Sequence, residues 1–127
     1  MKSTTVVDTN VILRYLLADH EEHFDQAKAF MDQVRDGEVR AYVSDAMLAE
    51  CVYVLLKVYE VPKQLIADSL SAVLSLRGAT GADVGAMQSA LKTFAVRNID
   101  FVDALVLALA ERNDWPHFSF DRDLTGG

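Results

Sequence analysis

Four acidic residues occupy positions where an ordinary surface charge is not expected. Asp8 directly follows a pair of valines, and Asp121 directly follows the segment Phe118-Ser119-Phe120. Glu50 and Asp103 lie inside the mainly apolar segments MLAECVYVLL and FVDALVLALA, which contain no basic residue. A carboxylate in apolar surroundings is unfavourable unless it is paired or bound to a metal. The sequence therefore predicts that these acids hold a cation.

The type of ligand indicates the type of cation and its chemistry. Carboxylate oxygens suit hard cations, and Mg²⁺ commonly takes one or two carboxylates while it keeps several waters. Such an ion lowers the pKa of a bound water and stabilises the charge that grows on a phosphate under attack. Because this chemistry does not need a 2′-hydroxyl on the substrate, the residues predict a nuclease without choosing between RNA and DNA.

Each acid also has a simpler interpretation. Asp8 could cap the first helix, and Glu50 could share an exposed stripe with Lys57, which lies seven residues further on. Asp103 could belong to a capping-box variant, because it lies three residues after Asp100. Asp121 could begin a turn. It is the joint placement of the four, at two strand ends and in two apolar helices, that favours a site.

The pattern of apolar residues and breakers predicts the elements that would position these acids. Strands are predicted at Thr4 to Asp8, Arg40 to Val43 and His117 to Phe120, and helices at Asn10 to Ala18, Glu22 to Arg35, Ala46 to Val58, Pro62 to Leu76, Asp83 to Val96 and Asp100 to Arg112. The connection at 77–81 is compatible with one more short strand. Alternating strands and helices predict an α/β sandwich around a mostly parallel sheet. Ligands of such sheets bind beyond the carboxyl ends of the strands, where Asp8 and Asp121 lie.

Bulk properties limit the class of protein. A chain of 127 residues corresponds to one domain, 1–127, and it has no apolar run long enough for a membrane span or a signal peptide. Its single cysteine, Cys51, suits a core position and a reducing cytoplasm. The net charge of −7 opposes nucleic acid at long range. Either the partner is not nucleic acid, or carboxylates are concentrated in one site where divalent cations offset them.

Four segments carry a resemblance to PIN-domain proteins, and more narrowly to the VapC-like toxins of bacterial toxin–antitoxin pairs. Val6 to Val11 resembles the opening strand with its Asp-Thr-Asn signature, Val43 to Leu55 the segment with the family's glutamate, Asp100 to Leu105 the block with its third acid, and Ser119 to Asp123 the last acidic motif. The order is the family's, and the resemblance covers essentially the whole chain. There are two departures: Ser119 stands where a threonine is usual, and the chain stops at Gly127, where relatives usually continue.

The resemblance implies a three-layer α/β/α sandwich with a sheet of four to five strands. It also implies one or two Mg²⁺ or Mn²⁺ ions and hydrolysis of RNA. We expect Asp8, Asp103 and Asp121 to be metal ligands and Glu50 to orient a ligand or hold a water. Residues expected to support this site from outside the metal ligands are Asn10, Ser44, Ser119 and Asp100, the last of which we expect to act mainly as a helix cap.

The resemblance also implies partners, namely an RNA substrate, a cognate antitoxin that blocks the site, and a second copy in a homodimer. Candidate phosphate contacts are Arg14, Lys57, Arg77, Lys92, Arg97 and Arg122. Two alternatives stay open at this point. One is a phosphotransfer domain of the haloacid dehalogenase or receiver kind, although Asn10 stands where the first has an acid and Asp121 where the second has a lysine. The other is a PIN-like scaffold without activity.

Overall fold

The computed structural model describes residues 3–19 and 21–120. Its elements are β1 (Thr4–Val6), α1 (Thr9–Leu17), α2 (Glu21–Arg35), β2 (Arg40–Tyr42), α3 (Asp45–Lys57), α4 (Lys63–Leu74), β3 (Ala79–Thr80), α5 (Val84–Val96) and α6 (Phe101–Asn113). The strands are parallel and lie in the order β1-β2-β3. The predicted α/β class with a parallel sheet is therefore confirmed, with helix as the larger part.

The sheet register brings two helix starts to one edge. Val6 lies opposite Tyr42, and the Val7 N–H donates to the Tyr42 carbonyl at 3.0 Å. Two residues beyond this pair the chain reaches Asp8 on one strand and Ser44 on the other. Both precede a helix, so α1 and α3 begin side by side at the carboxyl edge of the sheet.

The core is formed by one face of each helix. In α3 the buried side chains are Leu48, Cys51, Val52 and Leu55, which recur at helical spacing. Helices α5 and α6 pack on each other, and the rings of Phe94 and Phe101 meet edge to face with centroids 6.4 Å apart. Burial on one face only leaves the opposite face of each helix available for the polar residues considered below.

The predicted last strand, His117 to Phe120, is wrong. These residues do not join the sheet, and Phe118 and Phe120 are 85% and 92% exposed with their rings stacked edge to face on each other. Alternating apolar residues favour a strand only when a neighbouring strand and a packing surface are supplied. In the described part of the chain the sheet has three strands rather than four to five, and Asp121 lies outside that part.

None of the helices in the two described ranges has the length and apolar content needed to cross a membrane.

Gly78, just before β3, lies close to the backbone at the end of α2. Its N–H donates to the Val34 carbonyl, and its own carbonyl accepts from the Ala41 N–H, both at 2.8 Å. A Cβ at this position would overlap the carbonyl oxygen of Val39 and lie 2.9 Å from that of Val34. Both obstacles are backbone atoms, which cannot rotate away as a side chain can.

We therefore expect Gly78→Ala to lower the free energy of unfolding by about 3 kcal/mol or more, the upper part of the range for overpacking. Urea denaturation measures the loss. The comparison variant is Gly85→Ala, because a Cβ there meets the guanidinium of the flexible Arg112 side chain, which can move aside. Its loss should be smaller and limited to the exposed pair of Arg112 with Asp83. Equal losses in the two variants would show that the backbone approach at Gly78 is not a constraint.

An ion pair joins the start of α5 to the end of α6. The Arg112 Nε donates to both carboxylate oxygens of Asp83, at 3.1 and 3.0 Å. Asp83 also caps α5 by accepting the Ala86 N–H at 3.0 Å. The hydrogen bond from Arg112, and after it the one from Ala86, hold the pKa of the Asp83 carboxyl below its ordinary value.

This shift predicts a pH-dependent contribution to stability. Because the folded-state pKa of Asp83 is lowered, its stabilising effect is complete above the unfolded pKa of about 3.9 and is lost as the pH falls through the folded value. The difference in unfolding free energy between the natural chain and Asp83→Asn should be constant from neutral pH down to about 4 and should shrink below it. Urea unfolding at several pH values tests this. A difference in unfolding free energy that does not change below pH 4 would contradict it.

Candidate active site

Four residues at helix N-termini use their side chains in two different ways. The side chains of Ser44 and Asp83 accept backbone N–H groups of the helices they precede, at 3.1 and 3.0 Å. Asp8 and Asp100 have the extended backbone of an N-cap residue, yet neither side chain makes a capping hydrogen bond. Asp100 thus holds the predicted cap position without the predicted cap bond. The cap interpretation of Asp8 likewise has no hydrogen bond to support it.

Glu50 is held by a residue that the sequence did not single out for the site. The Thr9 hydroxyl donates to Glu50 Oε2 at 3.2 Å. Thr9 is the first residue of α1, and Glu50 lies in the middle of α3, 41 residues later. The available signals are its place in the Asp-Thr-Asn signature and its position at a helix start, and neither identifies a partner.

The buried thiol of Cys51 links Asp8 to Glu50. Burial raises the pKa of this thiol to about 12, and the negative charges of Glu50 and then Asp8 add to the effect. The Thr9 hydroxyl that donates to Glu50 belongs to the residue that follows Asp8. The structure therefore places the Glu50 carboxylate at the start of α1, next to which Asp8 lies, and it places Cys51 in the core, as predicted.

The expected apolar surroundings of the acids are corrected by the structure. Asp8, Glu50 and Asp100 are exposed, and Asp103 is half-buried. The apolar residues around Glu50 lie mainly on the buried face of α3, whereas Glu50 lies on the outer face with Tyr53 and Lys57. A short apolar run thus did not imply burial of every residue within it.

The remaining predicted site residues lie on other elements of the fold. Asp103 lies in the first turn of α6, a helix that contacts α3. Ser44 uses its hydroxyl to cap α3, and Ser119 is half-buried in the segment after α6. Over the ranges 3–19 and 21–120, three or more potential ligands do not converge as a metal cluster. The roles of these residues and of Asp121, which is outside those ranges, stay predictions.

A groove of about 380 Å³ adjoins one of the acids. Asp8 and Asn10 line it together with Arg14, His23, Phe30 and neighbouring residues of β1, α1 and α2. Arg14 donates to Asp19 at 2.9 Å, so its charge is engaged at the far end of α1. Asn10 is therefore placed beside Asp8, as expected for a supporting residue, although its side chain makes no bond to the carboxylate.

The donor set fits a hard divalent cation. Asp8 and Glu50 carry like charges, and in the described part of the chain no lysine or arginine pairs with either one. Two exposed carboxylates on contacting parts of the fold, without a cationic side chain between them, suit Mg²⁺, which needs only one or two protein carboxylates.

Comparison with protein families gives a match over most of the chain. The family model described as PIN domain matches residues 5–125. A comparison with curated proteins finds no significant match. The matched range includes all four predicted site acids in one family segment, and it favours a nuclease over the phosphotransfer alternatives.

The unequal use of the N-cap side chains predicts unequal costs of removing them. Ser44→Ala should lower the free energy of unfolding by about 1 kcal/mol, because a hydrogen bond to the first turn of α3 is lost. Asp100→Ala should cost clearly less, since no such bond exists at the start of α6. Urea unfolding without added metal compares the two. Equal costs would mean that the Asp100 carboxylate does cap its helix.

Proposed function

The chain belongs to the PIN domain family, and we propose that it is a Mg²⁺- or Mn²⁺-dependent endoribonuclease, the toxin of a type II toxin–antitoxin pair. PIN domains are in general metal-dependent nucleases. The observation that carries the proposal is the hydrogen bond from Thr9 to Glu50, which holds the Glu50 carboxylate against the residue that follows Asp8 at the carboxyl edge of the sheet. Neither acid has a lysine or arginine partner among the described residues.

The proposal assigns a role to each acid. Asp8, Asp103 and Asp121 would hold one or two cations, and Glu50 would orient the reacting groups from α3. When bound, such a cation activates water for in-line attack on phosphorus and offsets the charge that develops on the phosphate. Asp100 carries a carboxylate that its own helix does not use, so it is available to support Asp103 one turn later.

The choice of RNA as the substrate rests on the resemblance. The net charge of −7 weakens long-range attraction to a polyanion, so local contacts must hold the substrate. Lys57, Arg77 and Lys92 are exposed and suit phosphate contacts. Arg14 is a weaker candidate because it is already paired with Asp19.

Exposed apolar side chains support the proposal of an antitoxin. Val6, Tyr53 and Val102 are 71%, 62% and 56% exposed, and each lies within three residues of an acid of the proposed site. Large apolar side chains in solvent are common at protein interfaces. We propose that an amphipathic segment of the antitoxin covers them while a basic side chain reaches the carboxylates. The proposal of a homodimer rests on the resemblance. The proposal of a cytoplasmic location rests on the single cysteine.

Asp8→Asn tests the nuclease proposal. The variant keeps the shape of the side chain and removes one ligand charge, so Mg²⁺-dependent RNA cleavage should fall by more than the roughly 100-fold that loss of an outer partner costs. Circular dichroism and urea unfolding should stay close to those of the natural chain.

The matched control is Asp68→Asn, which neutralises an exposed acid on α4 and should leave cleavage unchanged. A natural chain without metal-dependent cleavage of RNA, or an Asp8→Asn variant with full cleavage, would contradict the proposal.

A further inference from the structure

Thr9 is a buried polar residue at a helix start that does not use its side chain as a cap. It is only 5% exposed, and within the described ranges it is the one polar or charged residue that is buried. Its hydroxyl is satisfied by Glu50 Oε2 at 3.2 Å. A buried hydroxyl usually bonds to the backbone nearby, whereas this one is directed to a carboxylate on another helix.

We propose that Thr9 is a positioning residue that holds the Glu50 carboxylate in place for the divalent cation beside Asp8. This inference rests on the proposed nuclease function and names a residue that acts through Glu50. The Thr9 hydroxyl occupies Oε2 and is the side chain that donates to this carboxylate among the described residues. The second oxygen, Oε1, is left for a cation or for a water of its shell.

The need for such a residue follows from the exposure of Glu50. A glutamate on the outer face of a helix has several rotamers, and fixing one of them costs conformational entropy. A site that binds a cation with few carboxylates works better when the ligand-orienting group is already fixed. The hydrogen bond from Thr9 selects one rotamer before the cation arrives.

Thr9 is itself well fixed. Its branched Cβ restricts the side chain to few rotamers, and it lies at the junction of β1 with α1. The thiol of Cys51 contacts the Thr9 carbonyl oxygen, with the sulfur 4.0 Å away. Two consecutive residues of α3, Glu50 and Cys51, therefore contact the side chain and the backbone of the same threonine.

The experiment compares Thr9→Val with Thr9→Ser. Valine keeps the shape and the branch but removes the hydroxyl, and serine keeps the hydroxyl but loses the methyl. We measure Mn²⁺ affinity by calorimetry on the full chain, and kcat and KM for RNA cleavage. Thr9→Val should weaken Mn²⁺ binding roughly 10- to 100-fold and lower kcat with KM for RNA little changed, whereas Thr9→Ser should stay close to the natural chain.

Two controls separate positioning from stability. Thr93→Val makes the same change on α5 and should alter neither quantity. In a Glu50→Gln background Thr9→Val should have little further effect, because the group it positions is already changed. If the Thr9→Val variant does not fold, Thr9→Ala removes the same hydroxyl without adding volume and should show the same loss of Mn²⁺ affinity.

The outcomes distinguish this inference from the proposed function. If the natural chain neither binds Mn²⁺ nor cleaves RNA, the nuclease proposal fails and the role of Thr9 fails with it. If the natural chain does both and Thr9→Val equals it, only the role of Thr9 is wrong. Equal losses in the valine and serine variants would also overturn that role, because they would trace to the threonine methyl rather than to its hydroxyl.

Discussion

Backbone hydrogen bonds between β1 and β2 hold two strand ends at the same edge of the sheet, and the candidate site is built outward from that edge. The bond from Val7 to Tyr42 fixes the register, so Asp8 and Ser44 leave the sheet at the same level. Since a helix follows each of them, α1 and α3 run from a common edge and contact each other. A shift of one residue between the strands would change which face each of their side chains occupies, and the contact of Thr9 with Glu50 would be lost.

The helices differ in how the side chains at their N-termini are used. Helices α3 and α5 begin with side chains that satisfy their first turns, whereas α1 and α6 begin with carboxylates that do not. An uncapped first turn gives up a hydrogen bond of about 1 kcal/mol. At two helices of the same fold this loss coincides with acids of the proposed site, which is the pattern expected when ligand geometry outweighs local stability.

Local pattern predicted the helices well because helix formation depends on neighbours in sequence. The structure begins α5 and α6 directly after Asp83 and Asp100, as their cap chemistry indicated. Membership in the sheet depends on a distant partner, which is why the alternation at His117 to Phe120 gave a wrong strand. A run of apolar residues does not reveal the exposure of Glu50, because only one face of α3 is buried and Glu50 lies on the other. The bond from Thr9 spans 41 residues, and no local rule reaches that far.

Cys51 is the single cysteine of the chain, and it lies where α1 meets α3. Its sulfur is buried, and while it stays buried a thiol with a pKa of about 12 is scarcely ionised at neutral pH. Exposure to solvent removes the main cause of the raised pKa. Alkylation at this sulfur therefore requires the two helices to part. The rate at which Cys51 is alkylated therefore reports how often the contact between α1 and α3, beside Asp8 and Glu50, opens. This measurement needs no engineered label on the surface.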